Sequence, residues 1–372
     1  MIIVPISPEN PIWMMLGRHI VPWLKYVPFG NGNFSKFCHV GWEWELKYHA
    51  YADFGDAGAL LFVSPGKNWI YLRNAEAIHD VIQRERRHDF ERPAELLAVL
   101  DVFGPNISTA YGQDWQRHRK VTATAFTEKT NRLVWDEALQ QGRQMLNFWE
   151  SSGEVRSTAT DCRTLALDVL VSASFGKSFP FEGNAQPPET GPLSYRDALA
   201  KILDNAVLIL ALRAEFLARL KYPRGLARIG QAITSFKQYM TEDYEEERKA
   251  FEEKRETREN LMTNLVRASM EQTVSDAHDP NQRRAGLTRE EVFGNMFVFN
   301  FAGHDGTAHA LNYTFYLLAV HPWVQEWIGE EIRHVFQDKD ISSWDYDSFP
   351  RLNRCLAVLR NSTRPYDCTT LS

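Results

Sequence analysis

Residues 288–322 read TREEVFGNMFVFNFAGHDGTAHALNYTFYLLAVHP. Thr288 and Glu291 make a T-x-x-E capping box, in which the hydroxyl accepts from the amide three residues on and the carboxylate returns to the first amide. That fixes a helix start. No proline follows until Pro322, which cannot continue the hydrogen-bond ladder. The helix is therefore predicted to run for about 33 residues, roughly 50 Å at 1.5 Å per residue. Residues 292–303, VFGNMFVFNFAG, are apolar nearly all round, the mark of a helix buried through the middle of a fold. Within this run sits Ala302-Gly303-His304-Asp305-Gly306-Thr307-Ala308. Two glycines cost about 1 kcal/mol each relative to alanine in a helix interior. A carboxylate among phenylalanines adds a desolvation cost unless it is paired. Local rules broken together in a buried place predict a functional site, because glycine lets a ligand approach the backbone and a local widening opens the ladder to water. The plainer reading is a kinked core helix whose Asp305 pairs with an arginine.

Working outward, the rest of the chain reads as helix with a little strand. Residues 59–63, ALLFV, and 69–72, WIYL, flank a Pro65-Gly66 turn and predict a hairpin. Asn74 offers an N-cap to a short helix with Ile78, Val81 and Ile82 on one face. Tyr111–Phe126, Arg132–Trp149, Thr160–Ser174 and Tyr195–Leu220 are further predicted helices. Residues 241–259, TEDYEEERKAFEEKRETRE, interleave both charges as a solvated helix face does. Gln272 to Gly286 reads as a surface loop.

Composition bounds the class. The chain has 372 residues, 44% hydrophobic, enough for a sizeable core. A net charge of −6 gives no electrostatic reason to expect nucleic acid. The four cysteines, Cys38, Cys162, Cys355 and Cys368, are widely spaced and form no CxxC pair, so free thiols are expected rather than a disulfide framework. Residues 11–29, PIWMMLGRHIVPWLKYVPF, are too interrupted by charge and proline for a spanning helix, and no basic leader precedes an apolar run. Trp13, Trp23 and Tyr26 among basic residues suit a bilayer interface, while an apolar arm packed on the protein explains them equally well.

Three motifs carry a resemblance. The first is AGHDGTA between FVFNF and YLLAVHP. The second is Trp115-Gln116-Arg117-His118-Arg119, a W-x-x-x-R spacing that puts Trp115 and Arg119 on one helical face, where indole N–H and guanidinium can donate to one anion. By itself such a pair is usually a surface stack. The third is FPRLNRCLAVLRNSTRP from Phe349, ending in Asn361-Ser362-Thr363-Arg364. In this order the motifs resemble those of cytochrome P450 monooxygenases of the fungal, microsomal type, over roughly Val27 to Arg364.

The resemblance implies a mainly α fold with a small N-terminal β-hairpin region, incomplete at its C-terminal end. It divides the chain into an apolar arm over 1–29, a partial cytochrome P450 domain over 30–364 and a tail over 365–372. It places Ala302, Gly303 and Gly306 at the oxygen pocket and Asp305 in the proton relay. Gly306 stands where the family carries its relay threonine, so Thr307 is expected to supply the hydroxyl. Trp115 and Arg119 would hold a haem propionate. Arg364 fits the arginine of the structural E-x-x-R motif, with Asn361 in place of its glutamate, and asparagine cannot hold a bidentate charged pair. The family's haem cysteine lies in an F-x-x-G-x-x-x-C-x-G loop that has no counterpart here, so no metal ligand is expected from this chain.

The implied function is haem-dependent insertion of one oxygen atom into a small apolar substrate, with these residues by themselves inactive. Haem is the implied cofactor, and NADPH acts only through NADPH–cytochrome P450 reductase. The implied location is the cytosolic face of the endoplasmic reticulum membrane, by peripheral contact, with no nucleic-acid partner. Leu96–Ile107 and Leu203–Leu217 correspond to regions that line the family's substrate pocket. Two other readings stand beside it: a haem-free remnant that binds apolar molecules, and a His/Asp metal-dependent phosphohydrolase using His79-Asp80, His88-Asp89 and His304-Asp305, with His309 in helical register.

Overall fold

The computed structural model describes all residues except 5, 8–9, 25, 27–35, 38–40, 86–89, 91, 98–99, 182–192, 258, 277–285, 338 and 363–372. Among the described residues the chain forms fifteen α-helices and one three-stranded sheet. It divides into two compact units, Met1–Val99 with Asn205–Leu217, and Leu100–Asp204 with Ala218–Ser372.

In the first unit, strand β1 (Ile2–Ile3) precedes helix α1 (Pro11–Leu24) and α2 (Trp42–Leu46). The expected hairpin follows as β2 (Ala59–Ser64) and β3 (Lys67–Leu72), antiparallel with Leu61 opposite Ile70, and β1 adds to β2 in parallel. Gly66 takes a φ of +81° at the turn, a conformation that favours glycine. Alternation along β2 buries Leu60 and Phe62 against Ile2, Val4, Phe37, Trp42 and Ala50. Helices α3 (Ala75–Glu85) and α4 (Ala94–Leu97) end this stretch. Asn74 caps α3, its side chain accepting from the Ala77 amide at 2.8 Å, yet Ile78 and Ile82 remain exposed.

The second unit is helical throughout. It opens with α5 (Gly112–Ala123), α6 (Glu128–Ser152) and α7 (Thr158–Phe175). Thr127 and Ser157 cap the starts of α6 and α7, and left-handed Gly153 and Gly176 end them. Where one helix was expected over Tyr195–Leu220, three form: α8 (Tyr195–Asp204), α9 (Ala206–Leu212) and α10 (Ala214–Arg219). Arg213 takes a φ of +64°, which no continuing right-handed helix accommodates. Helix α9 belongs to the first unit and packs on α1. Helices α11 (Arg224–Glu252) and α12 (Leu261–Asp276) follow; α12 continues into what reads from sequence as loop.

The central helix is α13 (Arg289–Val320), starting at the reciprocal Thr288–Glu291 capping box and stopping before Pro322. It is helical throughout, so the local widening expected near Gly303 is not seen. From Val292 to Asn300 it is buried nearly all round, including Val292, Phe293, Met296, Phe297, Val298 and Asn300. Helices α14 (Pro322–Phe336) and α15 (Asn353–Ser362) complete the unit, which packs α7, α12 and α15 against α13.

Candidate functional site

Helix α5 docks on the N-terminal turns of α13 through the middle of its W-Q-R-H-R run. Arg117 lays both terminal nitrogens on Glu291, at 2.6 and 2.7 Å, and also donates to the Gly286 carbonyl at 3.1 Å. Glu291 thus caps its own helix and clamps a second one. Burial alone would raise its carboxyl, but hydrogen bonds from Arg117 and from the Thr288 amide outweigh that and hold it at about 2. Beside it Asn295, fully buried, donates to the Glu291 carbonyl (2.7 Å) and to His118 Nδ1 (3.0 Å) and accepts from the Ile107 amide (2.9 Å). With Nδ1 accepting, the proton of His118 sits on Nε2, 3.4 Å from Glu291 Oε1. Burial lowers the His118 pKa and favours this neutral form.

The approach of the preceding loop to α13 is decided by two glycines. A Cβ on Gly294 would stand 2.1 Å from the Gly104 carbonyl oxygen, and one on Gly104 would stand 2.3 Å from that of Glu290. Gly104 also has a φ of +138°. Asn106, buried below them, donates to the Leu100 carbonyl (2.8 Å) and accepts from the Ser108 and Thr109 amides.

Trp115 and Arg119 share a face, as their spacing predicts. The guanidinium lies 5.2 Å from the indole centroid and is exposed. The pair is a cation–π stack at the surface of α5.

Farther along α13 the motif residues separate onto different faces. Ala302, Gly306 and His309 lie on an exposed stripe that continues through Tyr313, Tyr316 and Val320. Gly306 has nothing within 4 Å of a built Cβ. Thr307 is exposed but turned about 100° from Gly306 around the helix. Gly303 faces the other way, its built Cβ 2.8 Å from Leu170 of α7, and next to it Ala308 packs on Cys162 and Ala166. Gly303 therefore serves the closeness of two helices.

Asp305 is not buried among phenylalanines as its sequence setting suggests. Its side chain is 52% exposed, and Arg163 of α7 binds Oδ1 through Nε (3.0 Å) and Nη2 (2.6 Å). Arg163 also lies 3.7 Å from Asp204. The adjoining His304 is 4% exposed, with Nδ1 3.7 Å from Asp305 Oδ1, and burial lowers its pKa. None of Arg117, His118, Asn295 or Arg163 stands out from sequence. Arg117 lies 174 positions from Glu291 and Arg163 lies 142 from Asp305, so no local spacing could pair them.

Toward the C-terminal end, Ser362 bonds Thr314 at 2.8 Å and ties α15 to α13. Asn361 lines an apolar groove of about 310 Å³ with Leu317, His321, Trp323, Trp327 and Val358. Arg364 lies outside the described residues, as do Cys38, Cys368 and the His88-Asp89 pair. Among the described residues no three of His, Cys, Asp or Glu converge as a metal site. Cys162 and Cys355 are free thiols, each pushed up to about 11, chiefly by burial.

A family model described as Cytochrome P450 matches residues 57–367. The chain is 29% identical over 376 residues to a cytochrome P450 monooxygenase of Arthrobotrys oligospora, covering 96% of this chain and 63% of that protein. It is likewise 29% identical over 327 residues to cytochrome P450 monooxygenase 124 of Postia placenta, covering 87% and 60%. A Leptosphaeria maculans protein named as the phomenoic acid biosynthesis cluster cytochrome P450 monooxygenase is 25% identical over 394 residues, covering 98% and 65%. The chain thus spans less than two thirds of each of these relatives.

The residues present fit a haem in part. Arg119, exposed and backed by Trp115, can present N–H groups to a propionate, and the Ala302–Gly306 surface is low enough for a flat ring to approach. The two described cysteines do not fit its iron: Cys162 is enclosed with Ala166 and Ala308 between α7 and α13, and Cys355 is half-buried beside Glu331.

Proposed function

The chain belongs to the cytochrome P450 family, and from that premise we propose that it represents a haem-dependent monooxygenase inserting one oxygen atom into an apolar organic substrate. The observation that carries this reading is the exposed, small-residue surface at Ala302 and Gly306, directly after the buried Val292–Asn300 stretch of the same helix within the family-matched region. When bound, haem supplies the iron centre at which dioxygen is activated. Arg119, backed by Trp115, would hold a propionate. Ala302 and Gly306 would leave room for dioxygen beside that group, and Gly303 sets how closely α13 packs on Leu170 of α7. Asp305, oriented by Arg163, presents a carboxylate able to accept and return a proton, and Thr307 adds a hydroxyl one residue beyond Gly306. The structural role of Arg364 follows from resemblance alone. Electrons come from NADPH through cytochrome P450 reductase.

The 372 residues by themselves are proposed to be catalytically silent, since Cys162 is enclosed between α7 and α13 and Cys355 is half-buried beside Glu331. The test compares this chain with a chimera carrying the part of the Arthrobotrys oligospora protein that the match leaves uncovered. Supplied with haem, reductase, NADPH and a panel of apolar substrates, the chimera is expected to incorporate labelled oxygen and this chain is not. A chimera that binds haem yet oxidises nothing would overturn the monooxygenase reading. A thiolate-type carbon monoxide spectrum from this chain alone would overturn its silence.

Membrane contact is proposed through α1. Among the described residues no helix is long and apolar enough to cross a membrane. Ile12, Leu16, Ile20 and Trp23 nevertheless form one exposed stripe at helical spacing. Flotation with anionic vesicles, weakened by Leu16→Ser with Trp23→Ser, is the expected result; vesicle binding unchanged in that variant would remove α1 from the contact. A second reading, a haem-free binder of apolar molecules, is favoured by the groove beside Trp323 and Trp327. Saturable quenching of tryptophan fluorescence by an apolar dye, lost in Val358→Arg, would support it.

A further inference from the structure

At the junction of α5 with α13 every hydrogen-bond role is assigned by its neighbours. The side-chain amide of Asn295 lies between the Glu291 carbonyl, at 2.7 Å, and the Ile107 backbone N–H, at 2.9 Å. A carbonyl can only accept and a backbone N–H can only donate, so Nδ2 must face Glu291 and Oδ1 must face Ile107. Nδ2 turns its second hydrogen to His118 Nδ1, 3.0 Å away, and that nitrogen has to be unprotonated. His118 and Asn295 are 1% and 0% exposed, so water replaces none of these bonds unless the junction opens.

A proton added to His118 Nδ1 would set N–H against N–H. Turning the Asn295 amide over only moves the conflict, because Nδ2 would then meet the Ile107 N–H and Oδ1 the Glu291 carbonyl. The charges acting on the ring are Glu291 of α13, which favours the proton, and Arg117 of its own helix, which opposes it. Of α12, also packed on α5, Arg267 donates to Thr257 and Glu271 is exposed. Burial outweighs the pull of Glu291 and leaves the pKa lowered.

What Asn295 holds is a turn whose other bonds lie within its own loop. Asn106 accepts from the Ser108 and Thr109 amides through its side chain and from the Ala110 amide through its carbonyl, and its side chain donates to the Leu100 carbonyl. Phe103 keeps the loop on the core, 5.3 Å from the Phe297 ring. At the other end Gly112, with a φ of +52°, opens α5.

We propose that His118 and Asn295 are positioning residues that latch the Asn106–Ala110 turn to α13 while His118 is neutral, and that a proton on His118 releases it. The turn runs straight into α5, whose exposed face carries Trp115 and Arg119, so the latch also fixes where that face is presented. The latch stands whether or not haem binds.

Amide hydrogen exchange of the 372-residue chain, corrected for the intrinsic effect of pH, tests this. An open junction lets His118 titrate near its ordinary value of 6.5, and each pH unit below that raises the open population about tenfold. Opening at the Ile107 amide is expected to rise about tenfold from about pH 7.5 to about pH 5.5 and to be insensitive to sub-denaturing urea, as local opening is. The Phe297 amide of the α13 core, opened by global unfolding, should respond steeply to urea. His118→Gln, whose side-chain carbonyl accepts from Asn295 and does not titrate, should stay protected at both pH values. Asn295→Ala should be open at both. A parent profile flat with pH, a pH response that survives His118→Gln, or Ile107 opening that follows urea in step with Phe297 overturns the proposal. The ring carbon-13 shifts of His118 in the parent need no variant: a proton on Nε2 alone at about pH 7.5 is expected, and one on Nδ1 overturns the latch.

Discussion

Glu291 serves two partners at once, and its replacement separates a buried contact from an exposed one. Its side chain is 12% exposed, and that of Arg117 opposite it is 16%. Removing one charge of such a pair strands the other, so Glu291→Gln is expected to cost about 2–4 kcal/mol in urea unfolding. Asp305 holds an arginine in a shorter list of contacts but at a half-exposed position, where solvent screens the pair. Asp305→Asn should therefore change stability by less than about 1 kcal/mol. If the two substitutions prove equal, burial is not what ranks these ion pairs. Both arginines escape a reading of sequence for the same reason. A salt bridge between residues more than a hundred positions apart leaves no periodic trace in either segment.

At the scale of elements, α13 shows how one residue type does opposite work at different positions. Gly294→Ala drives a methyl group into the Gly104 carbonyl, and backbone cannot swing aside as a side chain can. A loss of about 3 kcal/mol or more is expected, with Gly104→Ala at least as severe because its φ is also positive. Gly306→Ala meets open space and should stabilise the helix by about 1 kcal/mol. Thermal unfolding of the three variants checks the order, and a Gly306→Ala protein that melts lower than its parent would refute it. Sequence marks Gly303 and Gly306 as costly in a helix interior and singles out neither Gly104 nor Gly294. It does not tell which one lies under a neighbouring backbone, which one faces Leu170 and which one faces open space.

For the molecule as a whole, acid stability sums these sites. Glu291 titrates at about 2 when folded against an ordinary value of 4.5, so its contribution is complete above about 4.5 and is lost as pH falls toward 2. His118 and His304 are pushed below the ordinary 6.5 by burial. The unfolded chain takes up those protons first, so their neutral burial favours the fold above about 6.5 and weakens it as pH falls below that. The urea midpoint is thus expected to decline in two stages on acidification, the first below about pH 6.5 and the second below about pH 4.5. A level midpoint between about pH 7.5 and about pH 5 would contradict the burial of the two histidines. His118→Gln should shrink the first stage, which places the titration at the α5–α13 junction.

The sequence by itself determined the long central helix with both its ends, the hairpin and the family. Capping boxes, proline stops, periodicity and turn residues act within a few positions of themselves, so they are written locally. Even the order of the motifs along the chain is a one-dimensional property. Only the tertiary structure decided that α13 is enclosed from Val292 to Asn300 and open along one stripe beyond Ala302. It alone paired Glu291 with Arg117 and Asp305 with Arg163, and it set Asn295 between His118 and the Ile107 amide. Hydrophobic periodicity says that a face is covered but not by which helix. The partner of a charge, and the worth of that partnership, depend on which elements meet and how much water they exclude.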